Sequence, residues 1–331
     1  MTPSSQRSVS ALTLARGRAD HLKNLIKGLA RQDQPPVELV IGVMQPEPFA
    51  DLPQTAFPVH QILVPGDDLP LARARNLVAQ AAKAEVLAFV DVDCIPAPGL
   101  IADYADTCAP GAGLLMGEVM YLPGGATDEG VDFDQFARLA VKHADRAGPP
   151  ATQTETCRDY RCFWSLNFAM HRQDFERSGG FDERFTGYGG EDTDFGRMLD
   201  ELGIPISWMQ GARVYHQYHP HFMPPVHHLD SVVRNAELFA QKWGYRTMEH
   251  WLYCFGLMGL IENTPAGLRI LNRPTEAHLA LCRQQSDQPY GSTRRVIDLL
   301  HSMAGNDAGT PAQRRQATDM AQKSMLRPAS A

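Results

Sequence analysis

Four apolar stretches near the start of the chain constrain its fold more than any other feature, because they show almost no alternation of apolar and polar residues. They read SVSALTL (8–14), VELVIGVM (37–44), VHQILV (59–64) and EVLAFV (85–90). Two segments with apolar residues at helical spacing, ARGRADHLKNLIKGLARQ and LPLARARNLVAQAAKA, interrupt the series. Strands that are buried on both faces and separated by helices form parallel sheets. The sequence therefore predicts an α/β fold with a doubly wound, mostly parallel sheet flanked by helices.

Two acidic residues follow the fourth apolar stretch directly. Ligands of doubly wound sheets bind beyond the carboxyl ends of the strands, where Asp91 and Asp93 are expected. In an extended segment both side chains lie on one side, with Val92 directed to the other. Neighbouring carboxylates favour a cation between them, and hard oxygen ligands suit Mg²⁺ or Mn²⁺. The alternative interpretation is a solvated turn leading into the proline-containing DCIPAPG.

A second acidic group, Glu191, Asp192 and Asp194, follows the sequence GYGG. The apolar residues behind it have helical spacing: Phe195, Met198, Leu199 and Leu202. Glu191 falls toward this apolar face, where a carboxylate is costly unless something uses it. Helix capping explains one of the three acids, most naturally Asp194. A general base at this helix start is chemically sensible.

Basic and histidine side chains are expected near other strand ends. His216 in VYHQYHPHF follows a strand and would be a natural further ligand of an ion held by a carboxylate. Arg16 and Arg75 are candidates for phosphate contacts. Arg18 is interpreted as a residue of a solvated helix face.

Together these segments resemble a family 2 glycosyltransferase with the GT-A fold. The resemblance covers roughly residues 8–245 and is carried by TLARGR, LARARNLV, FVDVDC, FDERFTGYGGEDTDFGRML and VYHQYHP, in this order. The block that contains GYGGED is similar to the galactosyltransferase-type C-terminal half. The resemblance implies a metal-dependent, inverting transfer of a sugar from a nucleotide-sugar, in particular a UDP-sugar, to a hydroxyl of a glycan or another acceptor.

The resemblance also implies roles for individual positions. It implies five donor-binding residues: Thr13, Arg16, Arg75, Asp91 and Val92. It implies three ligands of Mn²⁺ or Mg²⁺: Asp93, Asp91 and His216, with His219 as a substitute for the histidine. Asp192 matches the catalytic base, Glu191 shares that role or orients the acceptor, and Trp164 presents an aromatic platform to the acceptor sugar.

One position departs from the family pattern. In many relatives the second strand ends in an Asp that contacts uracil, whereas here it is followed by MQPEPF. Gln45 or Glu47 would have to take that place.

Composition limits the partners and the compartment. The formal net charge of −7 argues against nucleic acid as the main partner. Six scattered cysteines without a secretory signal favour free thiols, and the absence of CxxC pairs argues against zinc. The apolar run WLYCFGLMGLI (251–261) is too short to cross a bilayer. We therefore expect a cytoplasmic protein, with peripheral contact at the inner face of a membrane left open.

The expected organisation is one catalytic domain and a tail. The GT-A domain is expected over residues 1–265, with a donor half over about 1–122 and an acceptor half over about 123–265. Residues 266–331 are rich in Gln, Ser, Arg, Ala and Pro and are expected to be helical or partly disordered, with disorder over the last 25 or so.

Two other function classes remain as alternatives. A nucleotidyltransferase also combines such a sheet with paired acids, but it normally has a glycine-rich phosphate loop near its first strand, which TLARGRADHL does not provide. A non-catalytic nucleotide-sugar-binding protein would bind the donor without transfer. The acidic pair Glu191–Asp192 argues against this second alternative.

Overall fold

A computed structural model describes residues 6–66, 68–285, 288–303 and 311–326. The chain divides into two compact units. The first unit comprises Met1–Arg184 and Glu191–Tyr218, and the second comprises Phe185–Gly190 and His219–Ala331. The C-terminal stretch of the second unit begins after Tyr218, and the catalytic domain over residues 1–265 with a tail over 266–331 stays a prediction.

The first unit contains twelve strands within the described residues. They are β1 (Val9–Ala15), β2 (Glu38–Val43), β3 (Val59–Leu63), β4 (Val86–Val90), β5 (Cys94–Pro96), β6 (Leu114–Met116), β7 (Val119–Tyr121), β8 (Val141–Lys142), β9 (Thr154–Thr156), β10 (Asn167–His171), β11 (Ile206–Met209) and β12 (Val214–His216). The four apolar stretches are β1 to β4, and β1, β2 and β4 are buried along their whole length.

The main sheet has the strand order β3-β2-β1-β4-β10-β6-β11-β9. The first four strands are parallel, β6 and β11 are also parallel, and β10 runs antiparallel to both of its neighbours. A smaller sheet has the order β5-β12-β7-β8. The predicted mostly parallel, helix-flanked sheet is therefore confirmed.

Six α-helices belong to the first unit within the described residues. They are α1 (Ala19–Leu29), α2 (Leu71–Ala81), α3 (Leu100–Thr107), α4 (Phe133–Leu139), α5 (Arg172–Ser178) and α6 (Glu191–Glu201). Gly42 of β2 lets α2 lie close to the sheet, since a Cβ at this position would lie 3.1 Å from Val78 of α2. Aromatic rings fill the core between sheet and helices, with Phe181 stacked on Phe195 at 4.0 Å between ring centres.

Two predicted elements differ from the structure. The sequence of residues 113–122, GLLMGEVMYL, predicts one strand, but the segment forms β6 and β7 in different sheets. The break lies at Gly117, where a Cβ would lie 2.4 Å from the carbonyl oxygen of Ala212, so only glycine fits. The sequence of residues 131–146, VDFDQFARLAVKHADR, predicts one helix. In the structure α4 ends at Leu139, because the chain then becomes extended and pairs as β8 with β7.

The second unit has its own apolar core, which explains why residues 219–265 do not group with the sheet. Its elements are α7 (Leu229–Trp243), α8 (Glu249–Leu257), β13 (Ile261–Thr264), β14 (Gly267–Ile270), α9 (Glu276–Cys282), α10 (Thr293–Met303) and α11 (Pro311–Leu326). The core includes Val232, Leu252, Phe255 and Val296. The run WLYCFGLMGLI forms part of α8 and continues into β13.

The C-terminal segment is helical where it is described. Helix α11 packs against α8, although disorder was expected over this part of the chain. The remaining residues of the expected disordered tail, 307–310 and 327–331, lie outside the described residues. None of the helices in the described part of the chain is long and apolar enough to span a membrane.

Candidate active site

The acidic DVD sequence forms a tight turn at the end of β4. The amide of Asp91 donates to the carbonyl of Leu166 (2.9 Å), and the amide of Cys94 donates back to the carbonyl of Asp91 (2.8 Å). The expected extended segment with both carboxylates on one side is therefore wrong, because this turn reverses the chain into β5. Asp93 is buried, whereas Asp91 is partly exposed and its Oδ1 accepts from the amide of Val92 (2.7 Å).

The small sheet brings Asp93 next to His216. Strand β5 is antiparallel to β12 with Cys94 opposite His216, and the Gln217 amide donates to the Asp93 carbonyl at 2.7 Å. A carboxylate oxygen of Asp93 and a ring nitrogen of His216 lie within 4.8 Å of each other. The Tyr121 ring stacks on the imidazole, with ring centres 4.8 Å apart, and fixes its orientation.

This oxygen and nitrogen donor set fits Mn²⁺ or Mg²⁺. Asp91 uses one carboxylate oxygen for the Val92 amide, and its role as a further ligand stays a prediction. His219 belongs to the second unit, whose C-terminal stretch it begins, and its role as a substitute ligand stays a prediction.

Arg18 forms an ion pair with Asp93. Arg18 has a left-handed backbone conformation (φ 54°) immediately before α1, and 41% of its side chain is exposed. The Gln217 side chain accepts from Asn24 Nδ2 (2.9 Å) and donates to the His21 carbonyl (3.2 Å), which fixes the start of α1 beside β12. The interpretation of Arg18 as a purely solvated residue is therefore wrong, because its guanidinium is directed at the DVD turn.

The end of β1 carries the other predicted donor-binding residues. Thr13 is buried, and its hydroxyl makes no hydrogen bond to any described residue. Arg16 follows β1 and is exposed. Gln45 Oε1 accepts from the Gly17 amide (2.8 Å), and its Nε2 donates to the Glu47 carbonyl (2.9 Å). Gln45 therefore joins the loop after β1 to the loop after β2.

A buried ion pair connects α2 to the start of α6. Arg75 Nη1 donates to Glu191 Oε1 at 3.1 Å, and Nη2 donates to Ser165 Oγ at 2.7 Å. Both charged side chains are less than 10% exposed, and the guanidinium also lies over the Phe181 ring at 5.1 Å. Glu191 is therefore directed inward, as its position in the helical pattern suggested, and Arg75 compensates its charge. The predicted contact of Arg75 with the donor stays a prediction.

Asp192 lies in the first turn of α6 beside this pair. Burial and the neighbouring negative charge of Glu191 raise the pKa of the Asp192 carboxyl to about 7, although Arg75 and hydrogen bonds from Thr193 act in the opposite direction. A carboxylate with a pKa near neutrality is well suited to act as a general base. Asp194, assigned to helix capping, also lies in the first turn and is completely buried.

Trp164 is partly buried and has a basic neighbour that the sequence reasoning missed. The guanidinium carbon of Arg146 lies 5.4 Å from the centre of the Trp164 ring and 5.3 Å from that of Trp208. The His143 ring contacts Trp164 edge to face at 5.1 Å. In the sequence, the only signal for Arg146 is the short basic stretch VKHADR, which was assigned to a helix.

Hydrogen bonds connect the predicted donor and acceptor sides within the first unit. Asp91 bonds to the backbone of Leu166, the adjacent Ser165 holds Arg75, and Arg75 holds Glu191 next to Asp192. The structure therefore joins the DVD turn and the first turn of α6 through the loop that also carries Trp164.

Comparison with known proteins gives matches of three kinds. Residues 147–220 match a family model described as the N-terminal domain of galactosyltransferase. The validoxylamine A glucosyltransferase of Streptomyces hygroscopicus subsp. jinggangensis (strain 5008) is 39% identical over 85 residues, which are 24% of this chain and 18% of that protein. The chondroitin synthase of Escherichia coli is 27% identical over 175 residues, which are 45% of this chain and 25% of that protein. This chain therefore matches a quarter or less of the length of these relatives.

The third match is structural. The chain is similar to GalNAc-T7 in its crystal structure with UDP, GalNAc and Mn²⁺, with a TM-score of 0.50 and 16% sequence identity. The similarity covers 77% of this chain and 51% of that chain. It confirms the predicted GT-A fold.

Proposed function

We propose that this chain is a family 2-like glycosyltransferase with the GT-A fold that transfers a hexosyl unit from a UDP-sugar to an acceptor hydroxyl. The transfer would use a divalent metal ion and would invert the configuration at the anomeric carbon. The observation that carries the proposal is the connection of two groups in one unit. A buried carboxylate and an imidazole lie together at the DVD turn, and a carboxylate with a pKa near 7 lies at the start of α6.

The donor side rests on Asp93 and His216. These residues would hold Mn²⁺ or Mg²⁺, with Asp91 as a further ligand. When bound, such an ion neutralises the charge that develops on the leaving diphosphate. Arg18 supplies positive charge beside the same turn, Arg16 follows the end of β1, and Gln45 or Glu47 would take the place of the Asp that contacts uracil in many relatives.

The acceptor side rests on Asp192. Its carboxylate would remove the proton of the acceptor hydroxyl as that oxygen attacks the anomeric carbon in line with the leaving diphosphate. Glu191 is held by Arg75 and contributes the negative charge that keeps Asp192 basic. Trp164 offers its ring face to the acceptor sugar, since sugar C–H groups pack on aromatic rings.

A ligand screen with a product assay tests the proposal. The melting temperature of the full chain is measured with UDP-glucose, UDP-galactose, UDP-GlcNAc and UDP-GalNAc, each with Mn²⁺ or with EDTA, and UDP release is followed with and without candidate acceptors. We expect stabilisation by at least one donor only with the metal ion, and UDP release that depends on Asp192. UDP release unaffected by EDTA would contradict the metal role of Asp93 and His216. Metal-dependent binding without release in any mixture would favour the non-catalytic alternative, and release of inorganic diphosphate from a nucleoside triphosphate would favour a nucleotidyltransferase.

A further inference from the structure

Arg146 is a buried cation that the proposed reaction does not use. Its residue is only 5% exposed, although the neighbouring Ala144, Asp145 and Ala147 are all exposed. The side chain therefore turns inward from a surface loop. An arginine on such a loop would normally keep its guanidinium in water, where it is hydrated at no cost.

The two terminal nitrogens of Arg146 lack hydrogen-bond acceptors. Nη1 and Nη2 are shielded from solvent, and neither donates to any described residue. The rings of Trp164 and Trp208 lie at 5.4 and 5.3 Å from the guanidinium carbon and attract the cation. Ring faces do not satisfy N–H donors, however, and a buried charge without an oxyanion partner is strongly unfavourable. The buried guanidinium of Arg146 therefore lacks an anionic partner among the described residues.

The nearby charged groups are already engaged. Glu118, which lines the same cleft as Arg146, accepts from Arg213 Nη2 (2.7 Å) and from the Gly211 amide (2.8 Å). Lys142, which also lines this cleft, donates to the carbonyl of Gly148. Within the described part of the chain, no carboxylate forms an ion pair with Arg146.

The position of Arg146 connects it to both halves of the proposed site. Trp164 is followed by Ser165, which holds Arg75 and thereby the first turn of α6. The Tyr121 ring contacts both His143 (5.5 Å) and His216 (4.8 Å). His143 in turn contacts Trp164. The Arg146 guanidinium lies over the Trp164 ring, so a sugar that contacts Trp164 lies beside this cation.

We propose that Arg146 binds the carboxylate of an acidic acceptor sugar, a uronic acid residue that packs on Trp164. This inference rests on the proposed function, because it assigns the acceptor of that reaction. One guanidinium with two unused nitrogens matches a planar carboxylate through two parallel hydrogen bonds. A phosphate dianion would require a second cation, and Lys142 is bonded to the backbone. Because the nitrogens are shielded, the loop around residues 144–147 must move for the sugar to enter.

Binding of matched oligosaccharides to the full chain tests this proposal. The probes are cellotetraose, its form oxidised to uronic acid at C6, and its form phosphorylated at C6, each titrated in the presence of UDP and Mn²⁺ and followed by calorimetry and tryptophan fluorescence. We expect the oxidised form to bind about ten- to a hundredfold more tightly than the neutral form. In Arg146→Met this preference should disappear, in Arg146→Lys it should persist in part, and UDP affinity should be unchanged in both. Arg177→Met, which removes an exposed arginine paired with Asp174, is the matched control and should behave as the wild type.

Four results would overturn the inference. The wild type could bind neutral and oxidised sugars equally, or it could prefer the phosphorylated sugar. Arg146→Met could keep the preference for the oxidised sugar. Arg146→Met could also lose affinity for UDP, which would identify the donor diphosphate as the anion. Arg146→Gln provides a second neutral variant if the methionine variant does not fold, as judged by circular dichroism. A wild type that fails to bind any UDP-sugar with Mn²⁺ refutes the proposed function, whereas a UDP-binding protein without acid preference refutes only this inference.

Discussion

Replacing Asp192 with Asn should abolish most transfer activity and at the same time stabilise the protein at neutral and alkaline pH. The substitution keeps the size of the side chain and an oxygen that can accept from the Thr193 amide. It removes only the ionisable group, whose pKa the fold raises from about 4 to about 7. The two effects have the same origin, because the burial and the like charge that make Asp192 a good base also make its ionised form costly.

The size of the stability effect follows from the pKa shift. A difference of about three pKa units between the folded and unfolded chain corresponds to about 4 kcal/mol, at 1.36 kcal/mol per unit. Because Asp192 is partly exposed, we expect the free energy of unfolding of the variant to exceed that of the wild type by about 2–4 kcal/mol at this pH limit. The folded state binds this proton more tightly than the unfolded state, so the wild type loses this stability as the pH rises from about 4 through 7. The variant should therefore match the wild type near pH 4 and exceed it by the full amount at pH 8.

Urea denaturation from pH 4 to pH 8 measures the stability difference, and the pH dependence of kcat measures the base. The wild-type rate should fall about tenfold per pH unit below an apparent pKa near 7, and the variant should lose about 10²–10⁴ in kcat. Asp200→Asn is the matched control, because Asp200 lies on the same helix and is exposed; it should change stability by less than about 0.5 kcal/mol. A variant that retains near-normal transfer with the same acidic limb would refute the assignment of the base and direct attention to Glu191.

Three further predictions concern other parts of the site and the fold. His216→Ala should weaken Mn²⁺ binding at least about tenfold in a calorimetric titration without changing the circular dichroism spectrum, and unchanged affinity would remove the imidazole from the metal site. Arg75→Met leaves the buried carboxylate of Glu191 without its cation and should cost about 3–5 kcal/mol in urea denaturation at pH 8, whereas a loss below about 1 kcal/mol would show that the pair is not buried in solution. Gly117→Ala places a Cβ 2.4 Å from the carbonyl of Ala212 and should cost about 3 kcal/mol; a neutral result in thermal denaturation would contradict the reason given for the break between β6 and β7.

The sequence predicts those parts of the fold that depend on local pattern. Strands β1, β2 and β4 are mostly apolar and buried along their whole length, and such nearly continuous apolar runs can be recognised without any tertiary information. The inward direction of Glu191 follows from helical spacing alone. The position of Asp91 and Asp93 at the end of β4 follows from the abrupt change from apolar to acidic residues, although the turn that they form does not.

The parts that the sequence does not predict depend on contacts between distant segments. Gly117 breaks a continuous apolar run because Ala212, far away in the chain, approaches it closely. Arg18 reaches Asp93 because Gln217 fixes the start of α1, and no local pattern indicates this contact. Arg146 looks like an ordinary polar loop residue until the structure shows Trp164 and Trp208 on either side of it.

The small sheet makes one segment of this protein exchangeable. Strand β8 is at the edge of that sheet and pairs with β7 through only two residue pairs, and residues 123–150 contribute no strand to the main sheet. This segment carries Arg146, whereas the DVD turn, β12 and α6 lie outside it. Residues of this segment such as Phe136 pack on Tyr215 of β12. Transplanting residues 123–150 between related chains, with these core residues retained, should therefore change acceptor preference while the donor side stays in place.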